Sequence, residues 1–294
     1  ASLVGSEMCI RDRLKTELSF ISEYNAVLKD FLIHDCGISK RLLAKLKRCE
    51  NGITVNGVQS KVTVKIKPGD IVVLLSKDSE GFLEGNSELD VPKVFENESL
   101  VVYDKPVGMP VHPSVKHQGD TLGNCFSADY PGVRFRPVNR LDRDTSGLCA
   151  AAKNPYAAAA LQRGIEKIYY AVIQGSLKDS GTIDLPIARE RDSIIRRVVR
   201  QDGQRAVTHY KAIAGNSRFT LLEIKLETGR THQIRVHFSH IGYPLAGDSL
   251  YGGSAEFIRY QALHCGVLTF KDPMSGEYVR VESELREDMK KLIL

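Results

Sequence analysis

Residues 137–148, PVNRLDRDTSGL, contain two carboxylates, two guanidinium groups and two hydroxyls directly before an apolar run. The run at residues 148–152 has the small, apolar character of a buried strand, and residues 145–147 are typical of a turn that leads into it. This pattern predicts that Asp142 lies on a loop at a sheet edge, where a rigid framework usually places reacting groups. An ion-paired surface turn is the alternative interpretation.

The composition is that of a globular chain with room for one large and one small domain. It has 294 residues, of which 42% are hydrophobic, and a formal net charge of +5. That mild excess of positive charge hints at an anionic partner. No apolar run is long enough to span a bilayer, and no secretion signal is apparent. We therefore expect a cytoplasmic protein without membrane association.

Cysteine and histidine patterns give no sign of a metal site or a disulfide framework. The six cysteines contain no Cys-x-x-Cys pair. His232, His237 and His240 do not share one helix face, and no carboxylate joins them at ligand spacing. Since no phosphate-binding loop is present either, the sequence predicts no metal and no cofactor.

The chain divides into four segments. Residues 1–13 have no helical or strand period and resemble translated sequencing-adapter read-through, so we expect a non-native tail outside the fold, with a genuine disordered tail as the alternative. Residues 14–78 should form a small domain with helices at 26–34 and 39–48 and strands at 53–55 and 71–75. Residues 79–92 have the Gly, Ser, Asn and acidic residues of a linker. Residues 93–294 should form the second domain.

The predicted helix at residues 39–48 has two distinct faces. Ser39 is its expected N-cap, and Ile38, Leu42 and Leu46 form a stripe that should be buried. The remaining surface carries the candidate nucleic-acid contacts of this helix: Lys40, Arg41, Lys45 and Arg48. A solvated basic face is the alternative.

Three further segments of the second domain attract attention. A strand at residues 100–103 delivers the turn DKPVGMPVH at 104–112, and a helix at 156–165 precedes a strand at 167–173. Residues 189–205 are strongly basic around an Asp202–Gly203 turn signal, which predicts a basic hairpin. Its Arg196 and Arg197 are candidate phosphate contacts, with a solvated hairpin as the alternative.

Residues 226–242, LETGRTHQIRVHFSHIG, predict a helix that Thr231 caps and Gly242 ends. A packing stripe runs along it at residues 234, 238 and 241. His232, Arg235 and Ser239 should then share an adjacent face.

As a set, these motifs resemble the RluA-type pseudouridine synthases, which convert uridine to pseudouridine within RNA. The resemblance rests on RLD and TSG within residues 140–147, on KPVGMPVH, on KIYYAVI at 167–173 and on TGRTHQIRVH at 228–237. It continues through GYPLAGDSLYG at residues 242–252. One departure is Asn139, which stands where many members of that family carry His.

The resemblance implies a fold and a site. The fold would be α+β, with a small N-terminal domain and a catalytic domain built on a mixed, largely antiparallel sheet flanked by helices. Asp142 would be the essential aspartate, and Arg235 would pair with it. Tyr169 would stack on the uracil and help to remove the proton from C5. The expected RNA contacts beside them are Arg140, Arg230 and His232.

The N-terminal segment resembles the S-four RNA-binding domain, in SKRLL at residues 39–43, NGITVNG at 51–57 and KPGD at 67–70. Together the two resemblances imply an enzyme that isomerises uridines, with large-subunit ribosomal RNA as the expected substrate and transfer RNA as the alternative. We expect a monomer. A non-catalytic ribosome-assembly factor and a hydrolase that releases the base are the competing classes.

Overall fold

The computed structural model describes residues 2–5, 15–77 and 83–294. In the N-terminal part, short strands and helical turns alternate in this order: β1 (Ser2–Gly5), β2 (Lys15–Ile21), β3 (Ala26–Val27), α1 (Leu28–Asp30), a π-helical turn (Phe31–Asp35), α2 (Lys40–Leu46), β4 (Ile53–Val55), β5 (Val58–Gln59), β6 (Lys65–Ile66) and β7 (Ile71–Lys77).

The N-terminal sheet is antiparallel, in the order β1-β2-β7-β4-β5. Helix α2 begins where predicted, because the Ser39 hydroxyl accepts a hydrogen bond from the Leu42 amide at 3.2 Å. Ile38, Leu42 and Leu46 are buried, so the predicted packing stripe is confirmed. The cationic face is left on the outside of the molecule.

The observed structure of the N-terminal part differs from the predicted one in three places. Ala26–Val27 is a strand paired with Lys65–Ile66, and the helical turn after it splits into α and π segments. Strand β2 was missed, although its alternation of buried Leu18 and Phe20 with more exposed neighbours has the period of two of a strand. The backbone of Ser2–Gly5 pairs with β2, where no strand was expected. Residues 1 and 6–13, most of the expected non-native tail, lie outside the described residues.

The second domain contains the remaining elements: β8 (Lys93–Glu96), β9 (Leu100–Lys105), α3 (Leu122–Asp129), β10 (Ser146–Ala152), α4 (Pro155–Gly164), β11 (Glu166–Gln174), β12 (Ser180–Asp184), β13 (Ile187–Arg189), β14 (Arg197–Val199), β15 (Val207–Gly215), β16 (Phe219–Leu226), α5 (Gln233–His240), a 3-10 turn (Ser249–Tyr251), β17 (Leu263–Lys271), β18 (Tyr278–Glu282) and α6 (Glu287–Ile293).

The main sheet has the order β12-β15-β16-β11-β17-β10-β9-β8, with β18 also beside β17. Only the β10–β17 pair within this sheet is parallel. The sheet is therefore mixed and largely antiparallel, and the predicted α+β class is confirmed. Every residue of β10 is buried, which explains its continuous run of small apolar side chains.

Strand β10 starts beside the charged loop and runs very close to β17. Gly147 has φ +102°, and a Cβ there would lie 2.3 Å from the Cys265 carbonyl oxygen. Only glycine combines that backbone angle with that approach. The charged loop is thus tied to the centre of the sheet.

The two parts of the chain touch through aromatic and apolar contacts. The rings of Phe20 and Tyr156 meet edge to face at 6.2 Å, and Met274 also packs on the N-terminal core. The described end of the predicted linker lies against the second domain: the Asn86 amide donates to the Asn124 carbonyl, and Val91 is buried. Across the described ranges, no helix has the length and apolar character needed to cross a membrane.

The predicted basic hairpin differs from the observed one. β13 and β14 pair with each other, so the segment between them is residues 190–196. The Asp202–Gly203 turn instead follows β14, where the Gly203 amide donates to the Arg200 carbonyl at 2.9 Å. Its turn chemistry was identified correctly, but its place in the hairpin was not.

Candidate active site

Asp142 lies on the loop that precedes β10, with its side chain 24% exposed. Its carbonyl accepts a hydrogen bond from the Thr145 amide at 3.1 Å, which closes the loop into a turn. Asn139 fixes the start of the loop, since its side chain donates to the Leu148 carbonyl at 3.0 Å and accepts from the Ala150 amide at 2.8 Å. The residue that departs from the family pattern thus has a structural role.

A fully buried lysine holds the other side of this loop. The Lys105 ammonium donates to the carbonyls of Pro106 (2.8 Å), Met109 (2.8 Å) and Arg143 (3.0 Å). Burial lowers the pKa of Lys105 to about 8. The KPVGMPVH motif therefore contacts the Asp142 loop through this one nitrogen.

Arg235, in the first turn of α5, bridges two carboxylates. Its Nη1 donates to Asp142 Oδ2 at 3.0 Å, while its Nε and Nη2 donate to the two oxygens of Asp248 at 2.7 and 2.8 Å. Burial by itself lowers the pKa of Arg235, but the bonds to Asp248 and Asp142 outweigh it and raise the pKa. The guanidinium is a permanent cation held in a fixed orientation.

Tyr169 lies on β11 and faces the same cleft with 7% of its surface exposed. Pairing of β11 with β17 shifts register between Ile168 and Tyr169, so the strand is irregular at this point. Burial, followed by the nearby Cys265 and Asp142, raises the pKa of Tyr169 well above its ordinary value. The side chain is therefore a neutral phenol, suited to stacking and unsuited to accepting a proton.

The start of α5 was predicted incorrectly. The N-cap position is His232, with φ +58°, and its side chain makes no capping hydrogen bond. Thr231 therefore does not cap the helix. The helix ends as expected, with Gly242 at φ +86°.

His232, Arg235 and Ser239 do share a face, and Tyr251 contacts all three. The Tyr251 hydroxyl lies 2.8 Å from His232 Nδ1, and its ring lies 4.9 Å from the Arg235 guanidinium. Its carbonyl accepts from the Ser239 hydroxyl at 2.7 Å. Tyr251 thus joins the 3-10 turn to the site.

These side chains surround a cleft of about 390 Å³, part of which is open solvent. Residues from four segments line it: Arg140, Leu141, Asp142, Thr145, Tyr169, Leu226, Arg230, His232, Gln233, Ile234, Arg235 and Leu263. Arg140 and Arg230 are exposed, so they supply positive charge at the rim above the Asp142 carboxylate. An anionic polymer fits this arrangement of charge.

The other predicted RNA contacts are not among the residues that line this cleft. Lys40, Arg41, Lys45 and Arg48 are exposed on and just after α2. Arg196 lies 3.7 Å from Glu190, and Arg197 donates to the Ile195 carbonyl at 2.9 Å. RNA binding by these residues stays a prediction.

His237 has a structural role. His237 is fully buried, with Nδ1 2.9 Å from the Thr208 hydroxyl and Nε2 2.9 Å from the Leu185 carbonyl. Within the part of the chain that the structure describes, no three His, Cys, Asp or Glu side chains form a group that could hold a metal ion.

Sequence reasoning missed two residues of the site. Asp248, 2% exposed, is the principal partner of Arg235, and Tyr251 orients His232. Both stand in the GDSLYG segment at residues 247–252, which belongs to the family pattern. Asp248 follows Arg235 by 13 residues, and they lie on different elements, so no helical or strand period in the sequence reveals their pairing.

Comparison with known proteins defines the class as an RNA-modifying isomerase. Residues 99–240 match the family model described as RNA pseudouridylate synthase. The chain is 42% identical over 255 residues to the uncharacterized RNA pseudouridine synthase YlyB of Bacillus subtilis, covering 82% of this chain and 84% of that protein. It is 38% identical over 262 residues to ribosomal large subunit pseudouridine synthase D of Pseudomonas aeruginosa, covering 80% and 81%.

A solved structure agrees in fold. Human RNA pseudouridylate synthase domain containing 1 has a TM-score of 0.57 and 24% identity, covering 69% of this chain and 86% of that one. The chain belongs to the RNA pseudouridine synthase family, of the RluA-like kind.

Proposed function

We propose that this enzyme isomerises uridines in large-subunit ribosomal RNA, with Asp142 acting on the ribose of the target nucleotide. One observation carries the roles: Asp142, Arg235 and Tyr169 meet in one cleft, with the carboxylate 3.0 Å from the buried guanidinium. The ribosomal substrate is supported by relatives named large-subunit synthases, such as that of Pseudomonas aeruginosa.

The reaction breaks the bond between C1′ and N1 of uracil, turns the base and joins C1′ to C5. The C5 proton leaves and N1 is protonated, so atoms balance and no redox change occurs. Asp142 Oδ2 is engaged by Arg235, and no hydrogen-bond donor in the described residues reaches Oδ1. Oδ1 is therefore the oxygen that attacks C1′ or accepts the C2′ proton; both routes remain open.

Tyr169 offers the uracil a ring on which to stack while the base turns. Because its hydroxyl is neutral, it would donate a hydrogen bond and leave proton removal at C5 to another group. The target must leave the helical stack to reach this cleft. Arg140, exposed beside Asp142, would fill the vacated space or hold the backbone.

The N-terminal domain would bind a structured part of the same RNA. Its exposed cations on α2 are suited to phosphates, which give affinity and placement without reading sequence. Phosphate binding by one domain and chemistry in the other would suit a large folded RNA as substrate. It also fits the S-four resemblance of that domain.

The test is tritium release from ribosomal or transfer RNA labelled at C5 of uridine. We expect release from ribosomal RNA by wild type and none by Asp142→Asn, which should still bind the RNA. Asp144→Asn is the matched control, because Asp144 is on the same loop but pairs with the exposed Arg143. It should remain active.

Three results would contradict the proposal. Release from transfer RNA alone would show that transfer RNA, and not ribosomal RNA, is the substrate. An active Asp142→Asn enzyme would refute the catalytic assignment. Loss of base, detected as a lower RNA mass, would indicate a hydrolase, since isomerisation leaves the mass unchanged.

A further inference from the structure

The imidazole of His232 lies between Tyr251 and the proposed catalytic carboxylate. Its Nδ1 is 2.8 Å from the Tyr251 hydroxyl, and its Nε2 is 3.6 Å from Asp142 Oδ2. The side chain is only 11% exposed. Although the sequence pointed to an RNA contact, both ring nitrogens are directed at protein groups.

The hydrogen bonds around Tyr251 define which nitrogen carries the proton. The Arg197 amide donates to the Tyr251 hydroxyl oxygen at 2.9 Å. Nδ1 of His232 is the only acceptor that the described residues offer to the hydroxyl hydrogen. Nδ1 therefore accepts, and in the neutral ring the proton is on Nε2, facing Asp142.

The neutral form is favoured by the surroundings. Burial lowers the pKa of His232, the Asp142 charge opposes this, and the charges of Arg235 and Arg197 lower it further. At neutral pH the ring is an uncharged donor from Nε2. It can hydrogen-bond Asp142 without adding a second cation to the site.

The backbone of His232 has an unusual conformation, which accompanies the placement of its ring beside Asp142. Its φ of +58° and ψ of +19° are left-handed, a conformation that is unfavourable for a residue other than glycine. Such conformations cluster at functional sites. Here the conformation sits at the N-cap without a capping bond and coincides with the placement of the ring beside Asp142.

We propose that His232 is a positioning residue for Asp142: Tyr251 holds it as the Nε2–H tautomer, which engages Oδ2 together with Arg235 and leaves Oδ1 directed at the ribose. This inference rests on the proposed function. The 3.6 Å separation is longer than a hydrogen bond, so this role requires the two groups to approach when RNA binds, as catalytic hydrogen bonds often do.

The same contacts connect the basic hairpin to the reacting group. Arg197, whose amide anchors Tyr251, is the first residue of β14. RNA held by the hairpin would therefore act on Asp142 through Tyr251 and His232. The hairpin would contribute to turnover as well as to affinity.

Two substitutions at His232 separate this role from a structural one. Asparagine tolerates the left-handed backbone, but its shorter amide reaches only the place of Nδ1. Glutamine puts an amide N–H near the place of Nε2. We expect His232→Asn to lower kcat for tritium release about 10- to 100-fold with KM nearly unchanged, and His232→Gln to recover most of the loss.

Tyr251→Phe removes the group that fixes the tautomer and should lower kcat in the same direction. Nitrogen NMR of the wild-type ring should show a protonated Nε2, and the variant should show a mixture of tautomers. This readout needs no activity, so a failure of the proposed function is distinguished from a failure of the inference.

Several outcomes would overturn the inference. A raised KM with normal kcat in His232→Asn would make His232 an RNA contact. Wild-type kinetics in that variant, or a lower melting temperature with normal kcat, would leave no positioning role. A wild-type ring protonated at Nδ1 would refute the tautomer.

Discussion

Replacing Asp248 with asparagine should destabilise the catalytic domain far more than any change on the surface of the same site. Asp248 is 2% exposed and accepts two hydrogen bonds from Arg235, which is 7% exposed. In Asp248→Asn the carboxylate charge is lost, and the amide NH₂ faces one of the two guanidinium donors. The remaining charged partner of Arg235 is then Asp142, whose carboxylate is partly exposed in the cleft.

Breaking a buried ion pair on one side costs about 3 to 5 kcal/mol, because the remaining charge stays buried. A domain is stable by only about 5 to 15 kcal/mol, so the loss is a large part of the total. Asp144→Asn is the control: its partner Arg143 is 54% exposed, and such pairs contribute about 0 to 1 kcal/mol.

Urea unfolding of wild type and both variants measures the difference, with the slope checked for constancy. A double variant, Arg235→Met with Asp248→Leu, should recover much of the loss, since it removes both members of the buried pair and the Asp142 carboxylate that loses its partner is partly exposed to water. If Asp248→Asn unfolds within 1 kcal/mol of Asp144→Asn, the ion pair does not hold this site together. Equal losses in the single and double variants would also refute the reasoning.

Three further predictions concern the surroundings of the cleft. Tyr169→Phe should keep tritium release within about tenfold, since a neutral phenol is no base, whereas Tyr169→Ala should lose it with the stacking ring; an inactive Phe variant with normal RNA binding would contradict this. Gly147→Ala should lower stability by about 3 kcal/mol or more in urea unfolding, because the added Cβ meets the Cys265 carbonyl at 2.3 Å on a backbone at φ +102°; a near-neutral result would show that β10 and β17 can separate. Lys105 has a pKa of about 8 in the folded state against 10.5 ordinarily, so the unfolded chain binds more protons between these pH values. The free energy of unfolding of wild type should therefore rise by about 3 kcal/mol relative to that of Lys105→Met from pH 8 to 10.5. Parallel stability curves for the two proteins would count against this prediction.

The Asp142 loop and the strand after it were predictable from the sequence because their signals are local. A charged turn followed by five small apolar residues at 148–152 indicates a buried strand and a loop at its edge. Ser39 at the start of α2 and Gly242 at the end of α5 likewise act within one turn of the chain. Such features follow from residue type and spacing alone.

The rest of the site depends on contacts between distant segments. Arg235 and Asp142 are 93 residues apart, and their pairing was expected only from the family resemblance. Asp248 approaches Arg235 from an irregular loop, where no period relates the two. His232 adopts a left-handed backbone that its residue type disfavours, so local reasoning assigned the cap to Thr231.

The burial of Lys105 makes this side chain a natural reporter of how often the site opens. An acylating reagent in water can reach its amine only when the hydrogen bonds to the carbonyls of Pro106, Met109 and Arg143 have broken. The rate of labelling at this one lysine therefore follows the opening equilibrium of the Asp142 loop, as amide exchange does for a backbone group. Slow labelling that RNA slows further would mark the loop as part of the bound state.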